Sequence, residues 1–199
     1  MPYINTTNNA YPLTERDIRA AHPNTSFPSQ FRAPEGYEWV FPTPQPTPPN
    51  PVIQIARETA PAVSSKGQWE QRWEVVDKFS DYTDDAGVLH TKAEQEAAAL
   101  AADAAAKAEA LKSSIVSATE QRLDAFARTR GYDDIKSASD YAGCSVPQFS
   151  IEGQYCKDKR AETWAKCYEI LAEVQAGTRP VPSGYDDIEP DLPALVWPT

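Results

Sequence analysis

From Lys92 to Arg130 the sequence contains neither glycine nor proline, and residues 93–110 hold eleven alanines. Alanine is the best helix former because it loses no side-chain entropy in a helix and buries no polar group. The stretch therefore predicts one continuous helix over residues 91–130, about 35–40 residues at roughly 1.5 Å each. Thr91 is its expected N-cap, with Glu94 three residues on. Gly131 supplies the C′ position, and Arg128 and Arg130 complement the negative end of the helix dipole.

Along this helix Ala101, Ala104, Ala108, Leu111, Ile115 and Ala118 alternate at three and four residues. That is a heptad stripe, but mostly of alanine, whereas strong coiled coils carry Leu or Ile at those positions. The expectation is a helix that meets a partner or a second copy of the chain along this stripe. The simpler alternative is a solvated helix sustained by alanine propensity and charge pairs. The stripe breaks at Arg122 and resumes one place over at Leu123, Phe126 and Ala127, where the helix should pack on its own domain.

Proline divides the rest. Of 18 prolines, 12 fall in residues 1–61, and Pro147 alone lies between 62 and 179. Residues 1–41 read as a small module. Thr14 and Asp17 make a capping box, Leu13 and Ile18 a hydrophobic staple, and the helix over 15–21 must stop before Pro23. Residues 37–41 alternate and are aromatic, so they read as a strand. Six of the ten residues 42–51 are proline; without amide donors they cannot join a sheet interior, and a polyproline II spacer is expected. A proline-rich ligand for an aromatic groove is the functional alternative. Residues 52–90 follow as a short β segment, with a strand candidate at 52–55, a better one at 68–76 and a turn at 84–87. Phe27, Trp39, Trp69 and Trp73 carry much of the apolar mass of the N-terminal part. They are the expected docking anchors for a partner, because so small a module buries little surface alone.

Residues 131–199 read as a helical domain with an apolar tail. Asp133 or Asp134 caps a short helix, Pro147 interrupts, and a long amphipathic helix runs over about 150–176. Its expected apolar face carries Ile151, Tyr155, Trp164, Cys167, Tyr168, Leu171 and Val174. Leu123, Phe126, Trp164, Tyr168, Leu171 and Trp197 form the expected core. Gly-Tyr-Asp-Asp-Ile occurs at 131–135 and again at 184–188, and shared cap chemistry is the expected reason. The fold class that results is α+β, mainly α: a proline-rich β-containing N-terminal module, a long alanine-rich helix and a compact helical C-terminal domain.

Charge and motif content narrow the chemistry. Twenty-nine acids against 19 bases give a net charge of −10, unlike a nucleic-acid binder, which clusters Lys and Arg. No apolar run reaches the ~18 residues of a membrane span. The N-terminus has neither the basic nor the apolar region of a secretory signal. Cys144, Cys156 and Cys167 contain no C-x-x-C pair, and reduced thiols are expected. Asp81, Asp84 and Asp85 miss the spacing of a calcium loop. His22 and His90 have no metal-ligand spacing, and no phosphate loop or nucleophile elbow occurs. The expectation is a non-enzymatic chain with no cofactor or metal.

Residues 11–28, from Tyr11-Pro12-Leu13-Thr14 to Ser26-Phe27-Pro28, resemble the N-terminal signature of small bacteriophage tail proteins. Trp73-Glu74-Val75, after the proline-rich segment, resembles that group's W-x-V element. Residues 121–135, Phe149-x-x-Glu152-Gly153-Gln154-Tyr155, Trp164 and Leu192-Pro193-Ala194-Leu195-Val196-Trp197-Pro198 are similar to tail-fibre-associated and tail assembly chaperone proteins. The resemblance spans most of the chain except the alanine-rich helix and brings no catalytic residues. It implies a virion protein, made in the host bacterial cytoplasm, whose partners are tail fibre and tail or baseplate proteins. A structural or linking component at the tail–fibre junction is the expected role. The alternative is a fibre assembly chaperone that leaves the finished particle.

Overall fold

A computed structural model describes residues 2–198. The fold is α+β and mainly α, and it divides into two compact units, Met1–Asp103 and Ala104–Thr199.

The first unit is built on a four-stranded sheet in the order β1-β2-β4-β3, with β1 Tyr3–Asn5, β2 Tyr37–Phe41, β3 Gln54–Val63 and β4 Trp69–Asp77. Helix α1, Glu15–Ala21, starts where the sequence marks it: Thr14 accepts from the Asp17 amide at 3.3 Å, and the Asp17 carboxylate accepts from the Thr14 amide at 2.8 Å. Ile18 on α1, Ile4 on β1, and Val40 and Ala56 in the sheet are buried.

Residues 42–51 are not a free spacer, because residues 52–90 pack on the first module. Strand β2 comes from that module and β4 from residues 52–90, and they pair in parallel, Val40 with Trp69 and Phe41 with Glu70. Strand β3 lies beyond β4 and pairs with it antiparallel, so the proline-rich segment is the crossover from β2 to β3. It is held down on the way. The Thr43 hydroxyl donates to the Gln71 carbonyl at 2.9 Å and accepts the Trp73 indole N–H at 3.1 Å, while the Gln45 amide donates to the Ala56 carbonyl at 3.2 Å. Proline removes main-chain donors, and the polar residues interleaved with it supply side-chain bonds instead.

The short strand expected at 52–55 is instead ten residues long and shifts register between Thr59 and Ala62, around the buried Pro61. A bulge is the place in a strand that tolerates proline. Two short strands, β5 Tyr82–Thr83 and β6 Leu89–His90, flank the turn at 84–87. There the Asp84 carboxylate accepts from the Ala86 and Val88 amides at 3.0 and 2.8 Å.

Helix α2 runs Lys92–Arg128, and the boundary between the units falls within it. Thr91 and Glu94 bond reciprocally at its start, at 3.0 and 3.3 Å. Gly131, with φ 83°, ends the turn that follows. In the second unit, α3 is Ile135–Asp140, capped by Asp134, and α4 is Pro147–Gln175. Pro147 begins α4 rather than interrupting the chain, because the first helical position needs no amide donor. Two 3-10 turns, Tyr185–Asp187 and Glu189–Asp191, lead into the tail. The repeated pentapeptide keeps its apolar anchors, since Ile135 and Ile188 are both buried. Its cap chemistry is not shared: Gly184 is extended, at φ −175°, and follows no helix end.

Candidate functional site

The stripe on α2 divides. Ala101, Ala104 and Ala108 face solvent, whereas Leu111, Ile115 and Ala118 are half-buried. Full burial begins at Thr119 and continues at Leu123 and Ala127, so packing on the second unit takes over before Arg122, where the sequence pattern breaks. Leu100 at 40% and Val116 at 36% exposure add apolar surface on the same helix.

The expected docking aromatics are engaged inside the first unit. Phe27 stacks on Phe31 at 5.4 Å, Phe31 meets Tyr3 edge-on at 5.7 Å, and Tyr3 meets Trp39 edge-on at 5.3 Å. The Arg19 guanidinium lies 4.9 Å from the Phe27 ring centre and 5.1 Å from that of Phe31. Trp73 donates its indole to Thr43, and Trp69 is half-buried in β4. Sequence reading found Phe27 and Trp39 but missed Tyr3 and Phe31. These two lie in segments without strong periodicity, and only the chain path brings them together.

The expected helical core is corrected at two positions. Tyr168 is 69% exposed and Leu171 37%. Trp164 is half-buried and lines a cleft of about 70 Å³ with Leu123 and Ile135. The buried face of α4 instead carries Glu152, Gly153, Cys156, Thr163 and Ile170. At the start of α4 the approach to α3 is close. A Cβ on Gly153 would lie 2.5 Å from the Ala142 amide nitrogen and 2.9 Å from the Ala138 carbonyl. Such a contact admits only small residues, and the large ones move to its margins. Leu123, Ala127, Ile135, Ala138 and Cys156 form the cluster that results. Cys156, not Cys167, is the fully buried thiol; burial, with the Glu152 carboxylate nearby, pushes it up to about 11.

The tail lies on this cluster. Trp197 stacks on Phe126 at 4.2 Å, donates its indole to the Thr129 hydroxyl at 2.8 Å, and has the Arg130 guanidinium 5.0 Å from its ring centre. Tyr155 accepts from the Val196 amide at 2.8 Å, and Arg122 donates to the Pro193 carbonyl at 2.9 Å.

Glu152 is the polar feature that sequence reading missed. It is buried, and its carboxylate accepts from Arg130, from the Tyr132 hydroxyl at 2.8 Å and from Gln148 at 3.1 Å. Burial opposes its ionisation, but the bonds from Tyr132, Gln148 and Arg130 outweigh burial and hold the carboxyl below its usual range. Burial first, and then the neighbouring carboxylate, push the Tyr132 hydroxyl well up. Every partner of Glu152 comes from the same unit, and the arrangement ties the start of α4 to the turn after α2. A lone charged residue on the inner face of an amphipathic helix is the only sequence signal for it.

Among the described residues no group of three or more His, Cys, Asp or Glu side chains is placed to hold a metal ion. No helix among them is long and apolar enough to cross a membrane. Compared with family models, curated proteins and solved structures, the chain matches none.

Proposed function

We propose that the chain is a non-enzymatic bacteriophage tail protein, a structural or linking component at the tail or baseplate–fibre junction that works through protein–protein contacts. The observation that carries this reading is the bare Ala101–Ala108 side of a 37-residue helix. Alanine permits a partner helix to approach closely, and a long helix whose Ala101–Ala108 side is bare, while its C-terminal part packs on its own unit, suits an assembly. The resemblance of residues 11–28 to small tail proteins, and of residues 121–135 to tail-fibre-associated and tail assembly chaperone proteins, supplies the context. The partners are tail fibre and tail or baseplate proteins, with self-association through α2 as a further contact, and the place of action is the virion.

Quantitative mass spectrometry of purified particles tests the proposal. Peptides of this chain are expected in a fixed ratio to other tail proteins. Their absence from intact particles, with the protein abundant in the producing cells, would overturn it and favour a fibre assembly chaperone.

A further inference from the structure

A groove of about 310 Å³ opens beside the bulge of β3, lined by Asn9, Tyr11, Pro12, Glu58, Thr59 and Ala60. Glu58 is the single ionised side chain in that lining. Its Oε1 accepts from the Tyr11 hydroxyl and from Gln71 Nε2, the latter at 2.9 Å, and Gln71 is itself held through its Oε1 by the Thr43 amide at 3.2 Å. The N-terminal loop, the proline-rich crossover and β4 thus converge to fix one exposed carboxylate. Both bonds to Glu58 fall on one oxygen. Oε2 accepts none among the described residues, and no lysine or arginine among them pairs with Glu58. Arg57 stands across from Glu74, and adjacent residues of a strand point to opposite faces.

A carboxylate held still by neutral donors, with one oxygen open and an aromatic ring, a proline and an alanine beside it, complements a cation on an apolar stem. The charge makes a strong hydrogen bond to Oε2, the Tyr11 ring adds cation–π attraction, and the stem lies on the apolar wall. An anion is repelled there, and a neutral ligand leaves the carboxylate uncompensated. The net charge of −10 favours the approach of a basic partner. We propose that this groove receives a lysine or arginine side chain of a partner protein. The proposal stands independently of the tail reading.

The test is a titration of the isotope-labelled full chain with ethylguanidinium chloride at constant ionic strength, followed by amide NMR. Saturable shifts are expected at Tyr11, Glu58 and Ala60. Ethylurea, of similar shape but uncharged, should produce none. Glu58→Gln should keep the bonds from Tyr11 and Gln71 yet bind the cation about tenfold more weakly, since a hydrogen bond loses its charge. n-Butylammonium is the lysine-like arm, and saturable binding of either cation in this groove supports the proposal. Shifts equal for ethylurea, shifts scattered over other acidic positions, or wild-type binding by Glu58→Gln would each overturn it. Should Glu58→Gln fail to fold, the cation-against-urea comparison on the unaltered chain decides alone.

Discussion

The two units are stabilised in different ways. In Ala104–Thr199 a contiguous buried cluster on α2, α3 and α4 does most of the work, sealed by the tail and by one buried carboxylate. In Met1–Asp103 the buried residues are few, and side-chain bonds between remote segments join the sheet to its connections. Burial of a cluster is non-directional and cooperative, whereas each cross-link contributes only about 1 kcal/mol net. The second unit should therefore fail as a whole when one central residue is cut. The first should loosen one link at a time.

Leu123→Ala should have the largest effect, about 4 kcal/mol, because the side chain is fully buried at the centre of the cluster. Native-state hydrogen exchange should show the loss across α3 and α4 while β2–β4 keep their protection. Equal loss in the sheet would break the contrast between the units. Gly153→Ala follows at about 3 kcal/mol, because the added methyl meets main-chain atoms that have no room to yield. Wild-type stability in urea melts would show that α3 and α4 do not pack this closely.

Glu152→Ala should cost about 2 kcal/mol. That is less than for a fully buried pair, because Arg130 keeps 35% of its side chain exposed. Its pH dependence has a definite sign. The folded carboxyl lies below its usual 4.5, so Glu152 contributes stability that is fully present above that pH. The contribution is lost as the pH falls below 4.5 through the folded value. Acid melts of the variant should lack this component.

In the first unit Gln71→Ala should cost about 1 kcal/mol and raise exchange locally around residues 43 and 58, leaving the second unit untouched. The smallest effect belongs to Tyr168→Ala. It should stay within about 0.5 kcal/mol of wild type, since the ring is exposed. A loss above 2 kcal/mol would restore the face of α4 that apolar spacing alone suggests.

The same contrast explains what could be read in advance. Capping boxes are local, so Thr14 and Asp17 at α1, and Thr91 and Glu94 at α2, stand where their spacing puts them. The long helix was legible because alanine propensity needs no tertiary partner. The phase of α4 was not. Apolar periodicity selects large residues, but the close approach at Gly153 reserves the start of the inner face for glycine and cysteine, and threonine follows at Thr163, all of which carry little hydropathic signal. Nor did the sequence show that residues 1–41 and 52–90 share a sheet, because strand pairing across a crossover leaves no local mark. The groove at Glu58 depends on that pairing, since Tyr11, Thr43 and Gln71 meet there only once β2, β3 and β4 are in register.

Local physics sets the extent of α1, β2 and α2, the glycine that closes α2 and the acidic surface, because propensity, caps and charge act within a few residues of themselves. Only the tertiary structure decides that the proline-rich segment is a crossover, that Phe27 and Trp39 close on Tyr3 and Phe31, that Tyr168 faces water, and that Glu152 and Glu58 are held where they are. Those outcomes depend on which surfaces fit against each other across long stretches of chain, and shape complementarity of that kind is a property of the packed molecule.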